Sequence, residues 1–387
     1  MRSLIEQYIF NPAKDKAKIY QKVKKQALKR GIFLSSLFSL YKEIAAGNIS
    51  GFCVPAFNIR TLTFDIAKAV FRAAKKEKAN AFILEIACSE MDYTNQTPQE
   101  YSLCCLAAAL EEKFQGQVFL QGDHFYLNED TDKAILALEN LITQALLAGF
   151  YNFDIDCSAL NITANIQRTI HLAHFVKKHQ PLALSAVLGG EVSAIGSADT
   201  TPEQLENFLK ATAGEIMKVS CQFQTRHGGK ISSLGEVAKI EIDVQKLKTL
   251  NNIARDYGLA GVVQHGASTL PQEQFAQLVK AGILEVHLST LFQNIFFESP
   301  YLPPQLKEKM YAYLLQHFPE EQKRFASETQ FLYALRKKAL GIFKKEIWQM
   351  PPKNINGICE ALEEKFRFFF KVFNVNNTQE LIKKLYT

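Results

Sequence analysis

Three histidines stand beside aspartate or glycine in short polar strings: Asp123-His124, His227-Gly228-Gly229 and His265-Gly266-Ala267-Ser268. Neutral imidazole is the commonest protein ligand for zinc, and three protein ligands with an open fourth position make a catalytic zinc. Taken singly, each histidine reads equally well as a hydrogen-bonded loop residue. Taken as a set, His124, His227 and His265 point to a metal centre. They lie too far apart in sequence for a local finger, so only tertiary structure can gather them. A second chemistry sits in the same strings. Backbone N–H groups of glycine-containing loops form concave anion sites, and Gly228, Gly229, Gly266, Ser268, Ser289 and Thr290 offer amides and hydroxyls for one phosphate. Glycine is also a routine turn residue in such loops.

The elements that must position these groups alternate along the chain. Short apolar runs at 52–57, 81–86, 117–122, 151–156, 182–187, 216–221, 261–264 and 284–288 read as strands. Between them lie amphipathic helical patterns such as FDIAKAVFRAAKK, DKAILALENLITQALLAG and QKLKTLNNIARDYG, with Gly149 and Gly258 placed as helix stops. Strand–helix alternation predicts parallel strands and an α/β fold. Eight units over about 240 residues match a (β/α)8 TIM barrel, whose usual size is about 250 residues. An open doubly wound sheet would carry a glycine-rich phosphate loop after its first strand, and VPAFNIRT has none. In a barrel, reactive side chains sit at the C-terminal strand ends. Every predicted strand has polar residues there: Asn58, Ser89-Glu90, Asp123-His124, Asp154 and Asp156, Glu191, His227, His265, and His287 with Ser289.

Three stretches follow from this reading: an N-terminal helical extension over 1–50, a catalytic barrel over 51–295, and a C-terminal helical appendage over 296–387 that begins at the Pro-rich break PYLPP. The basic stretch KAKIYQKVKKQALKR reads as solvated helix surface. The appendage, rich in aromatic residues, is expected to pack under the barrel or to form a subunit interface.

Bulk composition narrows the class. The chain has 387 residues, 47% hydrophobic and 22% charged, as a globular enzyme does. A net charge of +6 is too small to suggest a dedicated nucleic-acid binder, and it suits an anionic small molecule. Seven scattered cysteines without a CxxC pair read as reduced thiols. Neither a signal peptide nor a membrane-length apolar run is visible, so a cytoplasmic protein is expected.

The strings QGDHF, TRHGGK, QHGASTLP and GILEVHLST, in that order and spacing and preceded by VPAFN, resemble the class II, metal-dependent fructose- and tagatose-bisphosphate aldolases over about 52–292. The resemblance implies zinc on His124, His227 and His265, with a monovalent cation near the phosphate. It makes Asp123 the acid/base at the C4 hydroxyl, and Glu191 and Asp156 metal ligands or carboxylates that support them. Asn58, His287 and Ser289 would line the substrate. The implied activity is an aldehyde-lyase of carbohydrate metabolism (glycolysis in the leading case) that cleaves fructose 1,6-bisphosphate through a zinc-stabilised enediolate. The chain would act as a homo-oligomer, a dimer or larger. The alternatives are another phosphorylated ketose as substrate, or a non-catalytic barrel subunit of a tagatose-bisphosphate aldolase-like complex. Many members carry Lys-x-Asn-x-Asp-Thr on the last strand, where this chain has Glu285, His287, Ser289 and Thr290. The usual glutamate of the loop after strand 5 has no clear match, Asp199 being the nearest acid. Lys218 is the lone strand-end lysine, with no partner evident, and Arg336 is a candidate for reaching a far phosphate.

Overall fold

A computed structural model describes residues 1–11, 15–194, 197–223 and 242–386. Nine strands form one parallel sheet: β1 (Ile32–Ser35), β2 (Val54–Asn58), β3 (Ile83–Ala87), β4 (Gly116–Tyr126), β5 (Asn152–Asp156), β6 (Val187–Glu191), β7 (Lys218–Ser220), β8 (Gly261–Gln264) and β9 (Glu285–Leu288). Strands β2 to β9 pair in sequence order, and β9 returns to β2, so the eight close into a TIM barrel. β1 pairs outside this ring with the first half of β4, from Ile32↔Gly116 to Ser35↔Phe119. Beyond that point β4 pairs with β5 instead, starting at Gln121↔Asn152.

Seven of the eight barrel strands overlie the apolar runs that predict them. The exception is the run 182–187: its strand begins at Val187 and is the string VLGGE. Leu182 is instead fully solvent-exposed. The two glycines hide this strand from a hydrophobicity reading, yet the barrel needs one of them. A Cβ on Gly189 would lie 2.4 Å from Asp154 Oδ1 and 3.1 Å from Lys218 Cε, two side chains that fill the barrel interior. A second correction concerns the N-terminus. Residues 1–50 are helical at Arg2–Phe10, Lys16–Lys29 and Phe38–Ala45, but they also supply β1. A four-residue strand with one exposed face gives too short an alternation to stand out between helices. Gly149 ends the helix Asp132–Ala148 in the left-handed region at φ 90°, and Gly258, at φ 84°, follows Val244–Asp256, as their positions predict.

The C-terminal helices pack onto the barrel. The helix Pro352–Val372 lies along Thr63–Glu77, the helix that follows β2. Phe57 of β2 meets Phe366 and Phe370 at ring-centroid distances of 4.9 and 5.5 Å. Phe366, Phe369 and Phe370 are fully buried, each worth about 1.5–3 kcal/mol of transfer free energy. Arg72 and Lys76 pair with Glu363 at 2.6 and 2.7 Å, and Arg367 pairs with Glu77 at 2.7 Å. Farther on, the hydroxyl of Tyr386 donates to the Ser36 carbonyl beside β1 at 2.6 Å. No described helix is long and apolar enough to cross a membrane.

Candidate active site

Asp123 and His124 occupy a defect in β4. The pairing with β5 shifts register between Gly122 and Phe125, and His124 adopts φ 42°, a left-handed conformation uncommon for a side chain with a Cβ. Regular strand alternation would send consecutive side chains to opposite faces. Here the bulge re-aims the strand so that both line one cavity, with Asp123 Oδ1 3.9 Å from His124 Nε2.

Around this pair the barrel mouth gathers imidazoles and carboxylates. The His124 and His265 rings lie 4.4 Å apart between centroids, and His265 and His287 lie 4.2 Å apart. On its Nδ1 side His124 faces Asp156 Oδ2 and Glu191 Oε2, both at 3.1 Å. Two carboxyl groups at Nδ1 hold the proton on that side, the kind of support that accompanies a histidine able to take a metal on its other nitrogen. Burial alone would lower the His124 pKa, and Asp123, Glu191 and Asp156 outweigh it and raise the ring well above its ordinary value. Burial would raise Asp156, but His124 and the Ser158 hydroxyl and N–H hold it at about 2. Glu191 is pushed up to about 8 by burial and then by Asp156. Asp123 is lowered well below the carboxylate range because His124, His287 and His265 overcome its burial. Its Oδ2 accepts from Asn58 Nδ2 at 3.3 Å, while Oδ1 accepts no hydrogen bond among the described residues.

Below the mouth the barrel interior is polar, where branched apolar residues are the rule. Lys218 is completely buried, its Nζ 2.9 Å from Asp154 Oδ1, 2.6 Å from Glu285 Oε2 and 2.7 Å from Gln121 Oε1. Glu285 also accepts from the Tyr41 hydroxyl and from His287 Nε2, the latter at 3.0 Å. The other nitrogen of His287 lies 3.1 Å from Glu85 Oε2 and 3.5 Å from Asp123 Oδ1. Lys218 therefore has partners that its sequence neighbours do not reveal. Burial would lower its pKa, but Asp154 and Glu285 raise it.

Above Asp123 and His124 opens a cavity of about 650 Å³. Ser89, Glu90, Asp156, Ser158, Ser289 and Thr290 line it from the barrel side. Phe325, Gln330, Tyr333 and Lys337 line it from the C-terminal region. Arg60 joins the wall, pairing with Glu90 Oε1 at 2.6 Å and donating to Gln293 Oε1 at 2.9 Å.

The sequence-derived site is thus brought together at Asp123, His124, Asp156, Glu191 and His265, with Asn58 behind Asp123. Ser268 accepts from the Ser289 N–H at 2.8 Å, joining the loops after β8 and β9, and Gly266 turns the first of them at φ 69°. His287 is buried in the interior between Glu85 and Glu285, its ring tilted against that of His265. His227, Gly228 and Gly229 lie outside the described residues. Arg336 does not face the cavity: it is buried, donates to Asn294 Oδ1 at 2.5 Å, and lies 3.3 Å from Glu298. Its neighbour Lys337 lines the cavity instead. Asp199 is held by Lys246 at 2.9 Å. Sequence reading does not bring Glu85 beside His287 or Lys337 to the cavity wall, although a glutamate inside AFILEI already marks a charge within an apolar strand.

A closed barrel with imidazoles and carboxylates converging at its C-terminal mouth defines a TIM-barrel protein whose clustered side chains could hold a metal ion. Residues 39–348 match the family model described as "Fructose-bisphosphate aldolase class-II", and the chain belongs to that family. Among solved structures, it is similar to a fructose-bisphosphate aldolase from Campylobacter jejuni, with 18% identity and a TM-score of 0.57, covering 90% of this chain and 96% of that one. It is also similar to the YdjI aldolase from Escherichia coli K12, with 16% identity and a TM-score of 0.50 over 82% of this chain and 98% of that one. A fructuronate-tagaturonate epimerase, UxaE from Cohnella laeviribosi, shares the fold at 12% identity and a TM-score of 0.61, over 84% and 81% of the two chains.

Proposed function

We propose that the protein is an aldolase that cleaves, and in reverse forms, the C3–C4 bond of a ketose bisphosphate. Fructose 1,6-bisphosphate is the first candidate, with dihydroxyacetone phosphate and glyceraldehyde 3-phosphate as products. The observation that carries this reading is Asp123, a buried carboxylate kept ionised by its imidazole neighbours and lining the cavity beside His124.

An ionised Asp123 accepts the proton of the C4 hydroxyl as the bond to C3 breaks, and returns it in the reverse direction. Asn58 fixes the rotation of that carboxylate through Oδ2, leaving Oδ1 for the substrate. Asp156 and Glu191 hold the His124 ring by its Nδ1 side. A zinc ion would be held by His124 and His265, with His227 as the third histidine and Glu191 and Asp156 as supporting or additional ligands, and it would supply a Lewis acid for the ketone and for the charge left on the three-carbon fragment. Ser268, Ser289 and Thr290, with the glycine loops, take the phosphate of that fragment. Lys218, locked between Asp154 and Glu285, is not a Schiff-base nucleophile.

A different phosphorylated ketose is the second reading. It is favoured by the interior charges, since Glu285 and His287 stand where many relatives carry lysine and asparagine. A coupled assay of fructose 1,6-bisphosphate cleavage tests the leading one. Asp123→Asn should keep its metal and lose at least about 100-fold in kcat, the usual cost of a missing acid/base. Turnover near that of the wild type would remove Asp123 from its assigned role.

A further inference from the structure

Between Lys16 and Arg30 the chain carries seven cations and no carboxylate, and no Asp or Glu follows before Glu43. The net charge of the whole chain is +6, so its positive excess resides in this one stretch. The helix Lys16–Lys29 buries Ile19, Tyr20, Val23 and Ala27 and turns Lys18, Lys22, Lys25 and Lys29 to solvent. Their spacing of i, i+4, i+7 and i+11 sets the four lysines in one stripe. Asp15 lies 3.9 Å from Lys18 at the start of the stripe. Among the described residues, no ion pair engages Lys22, Lys25, Lys29 or the exposed Arg30. Like charges at this spacing destabilise a helix, so the stripe does not serve the fold.

Exposed apolar side chains gather where this helix ends. Gly31 leads it into β1, whose first residue, Ile32, pairs with Gly116 at the start of β4. That is the end of the barrel opposite Asp123 and His124. Leu28 is 50% exposed there and Phe33 42%. Leu147, 74% exposed, precedes Ala148, whose carbonyl accepts from the Tyr20 hydroxyl of the basic helix at 3.0 Å. Leu182 is fully exposed, in the segment whose Ser185 carbonyl accepts from the Ser36 hydroxyl, just past β1, at 2.5 Å. One exposed leucine is ordinary on a protein surface. Four large apolar side chains brought to one end beside a lysine stripe combine what interfacial binding uses: apolar groups for the acyl boundary and cations for anionic headgroups. Nucleic acid fits less well, because leucines flank the stripe where a nucleic-acid groove uses arginine forks and stacked aromatic rings.

We propose that this end of the molecule docks on an anionic lipid membrane, the lysine stripe meeting the headgroups and Leu28, Phe33, Leu147 and Leu182 entering the interface. The cavity mouth then faces away from the bilayer and stays open to its substrate. This inference does not depend on the aldolase reading.

The test is cosedimentation of the full chain with vesicles of phosphatidylcholine, and with vesicles of equal parts phosphatidylcholine and phosphatidylglycerol. The wild type should bind the anionic vesicles at least about a hundredfold more tightly, since each lysine near such a surface contributes about fivefold. Lys18→Gln, Lys22→Gln, Lys25→Gln and Lys29→Gln combined should remove that preference, with helix propensity nearly unchanged. Added salt should weaken it too. Leu28→Gln, Leu147→Gln and Leu182→Gln combined should keep the preference and weaken binding to the anionic vesicles by about tenfold or more. Thermal unfolding followed by circular dichroism checks that both variants are folded. A wild type that binds both vesicles alike, or a lysine or leucine variant that binds the anionic vesicles as the wild type does, overturns the proposal. So does a single-stranded RNA oligonucleotide that binds the wild type more tightly than the anionic vesicles do and is indifferent to the leucine substitutions, an outcome that assigns the stripe to nucleic acid.

Discussion

Lys218 is a fully buried cation held between two acids in the barrel interior. It faces Asp154 and Glu285 with no access to water, and Glu285 in turn holds His287. Removing one member of a buried ion pair leaves an unpaired charge, at a cost of about 3–5 kcal/mol. Lys218→Met should therefore lower the thermal midpoint markedly, as followed by circular dichroism, and an unchanged midpoint would show that Asp154 and Glu285 do not depend on it. The same pairing makes Lys218 a poor nucleophile, since its pKa is raised and its Nζ is fully engaged. Borohydride reduction in the presence of substrate should leave no covalent adduct in the mass spectrum. A trapped lysine would contradict the metal-dependent mechanism.

At the level of elements, legibility in the sequence follows the physical signal each element emits. Long amphipathic helices and seven apolar strands announce themselves because burial of one face demands a fixed period. β6 does not, because Gly189 leaves room for Asp154 and Lys218 and Gly190 lies against Phe208 and Ile216, so neither carries an apolar side chain of its own. The bulge in β4 is equally silent. Nothing in QGDHF states that His124 turns to φ 42°, yet this turn puts Asp123 and His124 on the same cavity. The histidines and acids proposed for the metal centre are legible because they combine distinctive residue types with strand ends. The place of Lys337 on the cavity wall is not, because a C-terminal turn has to fold back over the barrel, a contact between segments that no local pattern encodes. The expectation that Arg336 reaches toward the cavity meets the same obstacle: it turns inward to Asn294 and Glu298 instead.

At the scale of the whole molecule, the C-terminal region is part of the working barrel in two places. It roofs the cavity through Gln330, Tyr333 and Lys337, and through Pro352–Val372 it clasps the helix that follows β2. Glu363 ties that clasp to Arg72 and Lys76, and its pKa is lowered because those two cations outweigh its burial. A carboxyl lowered on folding contributes stability above its unfolded pKa of about 4.3, and that contribution is lost as the pH falls through the folded value. Glu363→Gln should thus be less stable than the wild type at pH 7 in denaturant titrations, with the difference shrinking once the pH drops below about 4. A difference that persists unchanged into acid would assign the effect to packing instead of charge.

In the proposed mechanism His124 and His265, with His227, hold a metal on which cleavage depends. Metal analysis of the purified protein, paired with the coupled fructose 1,6-bisphosphate assay before and after chelation, tests it most directly. About one zinc ion per chain is expected, with cleavage abolished by chelator and activity restored when zinc is returned. Cleavage that survives complete removal of the metal would contradict it.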